Sequence, residues 1–137
     1  MTKRSRAREV ALQLLFQRDH NQRVDRERML RFVHDRLQDA VLEAFCVMLY
    51  DGMTEHKEEI DRLLGAAAEN WRLARMAAVD RNVLRLGAFE LLYTPDTPAG
   101  VVLDEAIELA RRFGSADSPA FVNGVLDRLR QDIKPPE

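Results

Sequence analysis

Four cationic side chains crowd the start of the chain: Lys3, Arg4, Arg6 and Arg8. Together with Arg18 they face a single acid, Glu9, across residues 1–18, five charges against one, in a chain whose formal net charge is −2. A basic arm on an otherwise acidic body draws a polyanion, and long-range attraction of this kind sets on-rate as well as affinity. Arg4 and Arg8 are one helical turn apart with Arg6 close by, a spacing that can follow a phosphate backbone. The ordinary alternative is a solvated helix face, and a composition of 18 arginines to 3 lysines keeps that reading open.

Other chemistry is sparse. His20, His34 and His56 are scattered through polar surroundings with no HxxxH or HxxE spacing, so neither a zinc site nor a histidine general base is expected. The acids fall on helix exteriors and build no calcium loop, and the six glycines stand alone without making a phosphate cradle. Cys46 is the one cysteine and lies in the apolar run 44–50, which predicts an inert buried thiol and no intrachain disulfide. That run is far shorter than the roughly 18 apolar residues a bilayer span needs. A protein with no enzymatic activity, no cofactor, no metal and no membrane partner is expected, in the reduced cytoplasm.

The elements that must position these residues are helical throughout. VDRNVLRLGAFELLY (79–93) opens polar, with Asp80 or its predecessor as cap, then turns apolar on every side from Leu86 onward. Such a helix needs neighbours all round and is predicted to be central. Gly87 costs roughly 1 kcal/mol against Ala in a helix interior, and close crossing by a second helix is the expected return. Upstream, residues 3–19 place Ala7, Val10, Ala11, Leu14 and Leu15 on a core face, with Arg4, Arg6 and Arg8 off it and a second apolar row at Leu12 and Phe16. A second helix is predicted over about 25–37, with Asp25 as cap and Met29, Leu30, Phe32, Val33 and Leu37 inward. The third starts near Asp39, carries Val41, Leu42, Phe45, Leu49 and Met53, and ends around Gly52. Thr54 then caps a fourth with Ile60, Leu63 and Leu64 inward. Trp71 reads as a hydrophobic plug before the central helix.

Downstream, Thr97 as cap with Pro98 at the first helical position opens a helix burying Val102, Leu103, Ala106, Leu109, Ala110 and Phe113, with Gly114 just past its end. Ser118-Pro119 repeats the start signal for a last helix presenting Val122, Val125, Leu126, Leu129 and Ile133, stopped by Pro135 and Pro136. No segment alternates with period two. The expectation is one all-α domain over residues 1–137, of about seven helices with short loops.

Set in order, four stretches resemble one family: RAREVALQLLFQ (6–17), WRLARMAAVDRNVLRLGAFELLY (71–93), VLDEAIELARRFG (102–114) and SPAFVNGVLD (118–127). The chain is similar to the NusB family of bacterial transcription antitermination factors over nearly its whole length. The resemblance implies two packed helical bundles and a non-enzymatic role. Members of that family pair with NusE, a small-subunit ribosomal protein, hold single-stranded boxA RNA, notably in ribosomal RNA operons, and help the RNA polymerase elongation complex, with other Nus factors, read through terminators.

Carried onto this sequence, the family's arginine-rich motif falls on Lys3, Arg4, Arg6 and Arg8, with Ser5 interrupting the run. Phe121 falls where the family places an aromatic at its RNA and partner surface; without the family it reads as padding on a helix flank. Arg111 and Arg112 would extend the positive surface. Partner contact is expected at Phe16, where relatives carry Tyr, at Asp80 and at Asp117, whose charge beside Phe121 would repel phosphate. Contact with about four phosphates would give a slope of log K against log salt of roughly −3. Two rivals stand beside this reading: a helical protein-interaction module with no direct RNA contact, and a self-associating scaffold whose exposed Leu12 and Phe16 form a homodimer face.

Overall fold

The computed structural model describes residues 2–69 and 72–133, and among them the backbone forms seven α-helices and one 3-10 turn, with no strand. The fold is all-α. The expected roles of Trp71, Pro135 and Pro136 lie outside the described residues. In order come α1 (Lys3–His20), α2 (Arg26–Leu37), α3 (Ala40–Glu55), α4 (Lys57–Ala67), the 3-10 turn (Leu73–Arg75), α5 (Ala78–Tyr93), α6 (Ala99–Phe113) and α7 (Ser118–Ile133). The chain divides between Glu55 and His56 into two compact helical units, α1–α3 and α4–α7.

In the first unit α1 and α2 both pack on α3. Asp25 caps α2 as expected, accepting from the Glu27 N–H at 3.0 Å. At the start of α3 the Asp39 carboxylate accepts from the N–H groups of Val41 and Leu42, both at 3.0 Å. Glu43 returns the favour by accepting from the Asp39 N–H at 3.0 Å, so orphan donors at both sides of the helix start are satisfied. Arg26 clamps Asp51 through two bonds of 2.6 and 2.9 Å, tying α2 to α3.

Several local expectations for this unit are corrected. α3 runs through Gly52, and Thr54 caps nothing: its hydroxyl donates to the Asp51 carbonyl at 3.0 Å inside the same helix. A lone glycine with helix formers on both sides does not stop a helix whose other face is anchored in a core. α4 begins at Lys57 with His56 in the cap position and no side-chain cap bond. The buried stripe of α3 is Cys46, Leu49, Tyr50 and Met53, so Val41, more than 90° round the helix from it, is 74% exposed. Leu30 is likewise exposed because Met29 and Val33 take the inward face of α2. Leu12 is buried, so it offers no dimer face, and Phe16 is half-buried. Burial also pushes the Cys46 thiol up to about 12.

The second unit is organised around α5, which packs against α4, α6 and α7. Its buried residues cover every side: Val83, Leu84, Leu86, Gly87, Ala88, Phe89 and even Glu90. Gly87 is where α7 crosses, since a Cβ added there would lie 2.6 Å from Leu126 Cδ1. Arg85, nearly buried, donates to both Asp61 oxygens at 2.9 and 3.1 Å and to Asn82 Oδ1 at 3.1 Å, which locks α4 onto α5. Arg128 of α7 pairs with Glu69 just past α4.

Helix starts in this unit shift by a residue or more. Ala77 holds the cap position of α5, and Asp80 is the third residue of the helix. Pro98, not Thr97, stands at the cap of α6. Ser118 is buried inside α7, where its hydroxyl accepts from the Ser115 N–H at 3.0 Å. Gly114 closes α6 at φ −99°, an ordinary value; it is small because a Cβ there would approach the Ala110 carbonyl oxygen to 2.8 Å. Phe113, expected inside, is 37% exposed.

Candidate nucleic-acid interface

The start of α1 is capped by Thr2, whose hydroxyl oxygen accepts from the Ser5 N–H at 3.1 Å and lies 2.7 Å from the Ser5 hydroxyl. Ser5, the interruption in the basic run, is therefore part of the cap. The first turn holds no acid. Lys3, Arg4 and Arg6 thus stand at the positive end of the helix dipole, where each cation costs up to about 1 kcal/mol. α4, by comparison, fills its first turn with Glu58 and Glu59.

The four predicted cations are not equivalent. Lys3 and Arg4 are exposed. Arg6 is half-buried and paired with Glu9 at 3.1 Å, and the Glu9 side chain is only 8% exposed. Arg8 is 2% exposed, which corrects its placement off the core face. Its guanidinium lies 5.3 Å from the Phe45 ring centroid, and that of Arg4 lies over the same ring at 4.7 Å. The stem of an arginine is apolar enough to line a core, and a ring face accepts the charge at its end. The exposed positive arm is therefore Lys3 and Arg4, with Arg6 half-buried in its pair with Glu9 and Arg8 beneath it. Phe45 is a support that sequence reasoning missed, because it lies 37 residues from Arg8 in an unremarkable apolar run.

In the second unit, α5 and α7 run in the same direction. Gly87 meets Leu126 further along, and the N-terminal turns of the two helices share a pocket. That pocket, of about 240 Å³, is lined by Arg75, Met76, Ala77, Asp80, Asp117 and Phe121. Three predicted site residues from two stretches 37 to 41 residues apart thus meet: Asp80, Asp117 and Phe121. Phe121 is half-buried and Asp117 exposed. Oδ1 of Asp80 is enclosed and has no hydrogen-bond partner among the described residues. Arg75 and Met76, missed from the sequence, come from the 3-10 turn and the residue after it.

Arg111 and Arg112 are exposed at the C-terminal end of α6 and are not among the residues lining this pocket. Arg111 pairs with Glu108 at 2.5 Å and Arg112 lies over Phe113 at 5.0 Å. Their place at the negative end of a dipole gives them a structural reason to be there. Phe16, on α1, belongs to the first unit. Among the described residues no cluster of His, Cys, Asp or Glu could hold a metal ion, and no helix is long and apolar enough to cross a membrane.

Comparison with known proteins places this geometry among relatives. Residues 5–131 match the family model described as the NusB family. The chain is 44% identical over 133 residues to the transcription antitermination protein NusB of Sorangium cellulosum, covering 97% of this chain and 95% of that one. Among solved structures it is similar to T. maritima NusB, with a TM-score of 0.86 and 36% identity over 98% of this chain and 95% of the other. It is equally similar in fold, at TM-score 0.86 and 26% identity over 96% and 98% of the two chains, to a chain from a crystal structure of antitermination factors NusB and NusE in complex with dsRNA.

Proposed function

The chain belongs to the NusB family, and on that premise we propose that it is a transcription antitermination factor that binds boxA-type RNA together with NusE. The bound pair joins the RNA polymerase elongation complex with other Nus factors and promotes read-through, notably in ribosomal RNA operons. The whole chain serves as one RNA-binding domain, in the cytoplasm, and catalyses nothing. It works by holding RNA and protein near one another, so its contribution is effective concentration rather than bond chemistry.

The observation that carries this reading is the first turn of α1, which holds Lys3 and Arg4, both exposed, and no acid, at the wrong end of a dipole for cations, with Arg6 beside them in its pair with Glu9. A phosphate backbone resolves that conflict. The pocket at Phe121 supplies the second element of single-strand recognition, an aromatic face. Phe16, Asp80 and Asp117 are assigned to partner contact, with Arg111 and Arg112 on the outer margin of the RNA track.

Because Arg8 is buried, about three phosphates rather than four are contacted, and the slope of log K against log salt should be roughly −2. Affinity for a labelled single-stranded boxA-like RNA measured from low to moderate salt checks this. A flat salt dependence would remove the arm from the interface and favour the protein-interaction module.

A further inference from the structure

The outward side of α3 presents no charged side chain from Ala40 to Met48. Glu43 is the only charged residue in that stretch, and it turns to α2, where its carboxylate meets His34 Nδ1 and the Asp39 N–H, each at 3.0 Å. Val41, Ala44 and Met48 are exposed, Val41 at 74%, and Phe45 beside them is half-buried. The four fall at i, i+3, i+4 and i+7, a continuous stripe about 10 Å long. Single exposed apolar residues are ordinary on a protein surface. Four in register on one helix are the pattern of a helix that packs on another. The neighbouring α2 shows the usual arrangement, with Glu27, Arg28, Arg31 and Asp35 all exposed. A cation borders the α3 stripe: Arg4 is exposed, its guanidinium lies 4.7 Å from the centre of the Phe45 ring, and no ion pair engages it among the described residues.

We propose that this stripe docks an amphipathic helix of a second protein, whose apolar side lies on Val41, Ala44 and Met48 and whose flank brings a carboxylate to Arg4. Ala44, small and set between two larger residues, lets the two helix axes approach to the roughly 8–10 Å of packed helices. The carboxylate then meets Arg4 beside apolar surface that excludes water, where a charge-assisted bond is stronger than in the open. Charge selects this occupant. A second copy laid antiparallel about the middle of the stripe matches Val41 with Met48, but it brings the two Arg4 guanidiniums together, each over its own Phe45. A phosphate strand uses Arg4 and leaves the apolar residues in water. An acidic amphipathic helix uses both. Two turns of contact bury too little surface for a permanent complex, so the association is weak and reversible. On the RNA-binding reading above, Arg4 also meets phosphate. One guanidinium cannot serve both, so the docked helix and RNA compete.

The test titrates the full chain into two fluorescein-labelled peptides of about 16 residues, long enough to form a helix. Both carry leucines at the spacing of the stripe, flanked in one by glutamate and in the other by lysine. The glutamate peptide should bind about tenfold tighter than the lysine peptide, and the gap should close as salt rises. Met48→Glu should weaken the glutamate peptide by about tenfold with Tm unchanged, because the residue is exposed. Arg4→Glu should reverse the preference between the two peptides. A boxA-like RNA added with NusE should release the bound glutamate peptide. Equal binding of the two peptides, or affinity untouched by Met48→Glu, overturns the docking face and leaves the RNA-binding reading standing. A dimer of the unaltered chain in sedimentation that Met48→Glu dissociates gives the face to a second copy and also overturns it. Peptide retained while RNA is bound removes Arg4 as the shared anchor and overturns the competition. Absence of RNA binding, with the peptide still dependent on Met48 and Arg4, overturns the function and leaves the docking face.

Discussion

The guanidinium of Arg8 sits 5.3 Å from the centre of the Phe45 ring, with only 2% of the residue exposed. Arg4, one turn earlier, covers the same ring from the exposed side at 4.7 Å. The pair splits the basic arm into a buried residue and an exposed one. Arg8→Ala should lower stability by about 1–3 kcal/mol, through lost packing of the stem and a lost cation–π contact, and be visible as a lower Tm. Arg4 and Arg6 replaced together by Ala should leave Tm nearly unchanged and weaken RNA binding about tenfold at low salt. Thermal melts and anisotropy titrations on the same two variants decide it. A stable Arg8→Ala protein with lost RNA affinity would return Arg8 to the surface arm.

Asp117 is exposed on the pocket that holds Phe121, so its charge faces any phosphate that follows the strand past that ring. Asp117→Asn keeps the shape and removes the repulsion. RNA affinity at fixed low salt should rise by a few fold, and the gain should shrink as salt screens the removed charge. Equal or weaker binding by the variant contradicts this placement of the RNA.

Gly87 faces Leu126, which is fully buried and has little room to move. Gly87→Ala gains roughly 1 kcal/mol of helix propensity, yet overpacking at a close crossing costs about 1–3 kcal/mol, so net destabilisation is expected. The cost should vanish or reverse in a Leu126→Ala background, where the added methyl fills space instead of colliding. A denaturant double-mutant cycle reads that coupling directly.

The Cys46 thiol is raised by burial from an ordinary 9.0 to about 12. The folded state therefore keeps its proton where the unfolded chain gives it up. Its effect on stability is constant below about pH 9, and stability falls as pH climbs from there toward 12. Thiol reagents at neutral pH should label Cys46 only as fast as the first unit opens, and Cys46→Ala should show a shallower loss of stability between pH 8 and 10. Rapid labelling of the native protein would mean the thiol is accessible.

The central helix was legible because its apolar residues fall on every side and a glycine sits among them; both features are local, and Leu126 fills the expected place. The all-helical fold followed from periodicity in the same way; the basic arm at Lys3 and Arg4 stands out as a charge asymmetry, and the assignment of Phe121 to RNA rests on family resemblance. Burial of Arg8 was not legible, because a helical wheel assigns polar residues outward and knows nothing of a ring on another helix. Val41 was misplaced because two adjacent apolar stripes on α3 compete, and only packing selects Tyr50 beside the expected Cys46, leaving Val41 exposed and Phe45 half-buried. The junction near Gly52 and Thr54 reads as stop and start by residue type alone, but the α3 core anchor at Met53 carries the helix through. The meeting of Asp80, Asp117 and Phe121 depends on the direction in which α5 and α7 cross, which no local pattern encodes.

The most direct measurement is the anisotropy of a labelled single-stranded boxA-like RNA, titrated with the protein alone and then with NusE present, for the unaltered chain and for the Arg4, Arg6 double-alanine variant. The expected result is weak binding alone, clear tightening with NusE, and loss of most of that affinity in the variant. No binding in either titration, or binding indifferent to the two arginines, would contradict the RNA-holding role and leave the chain as a module that touches RNA only through its partner.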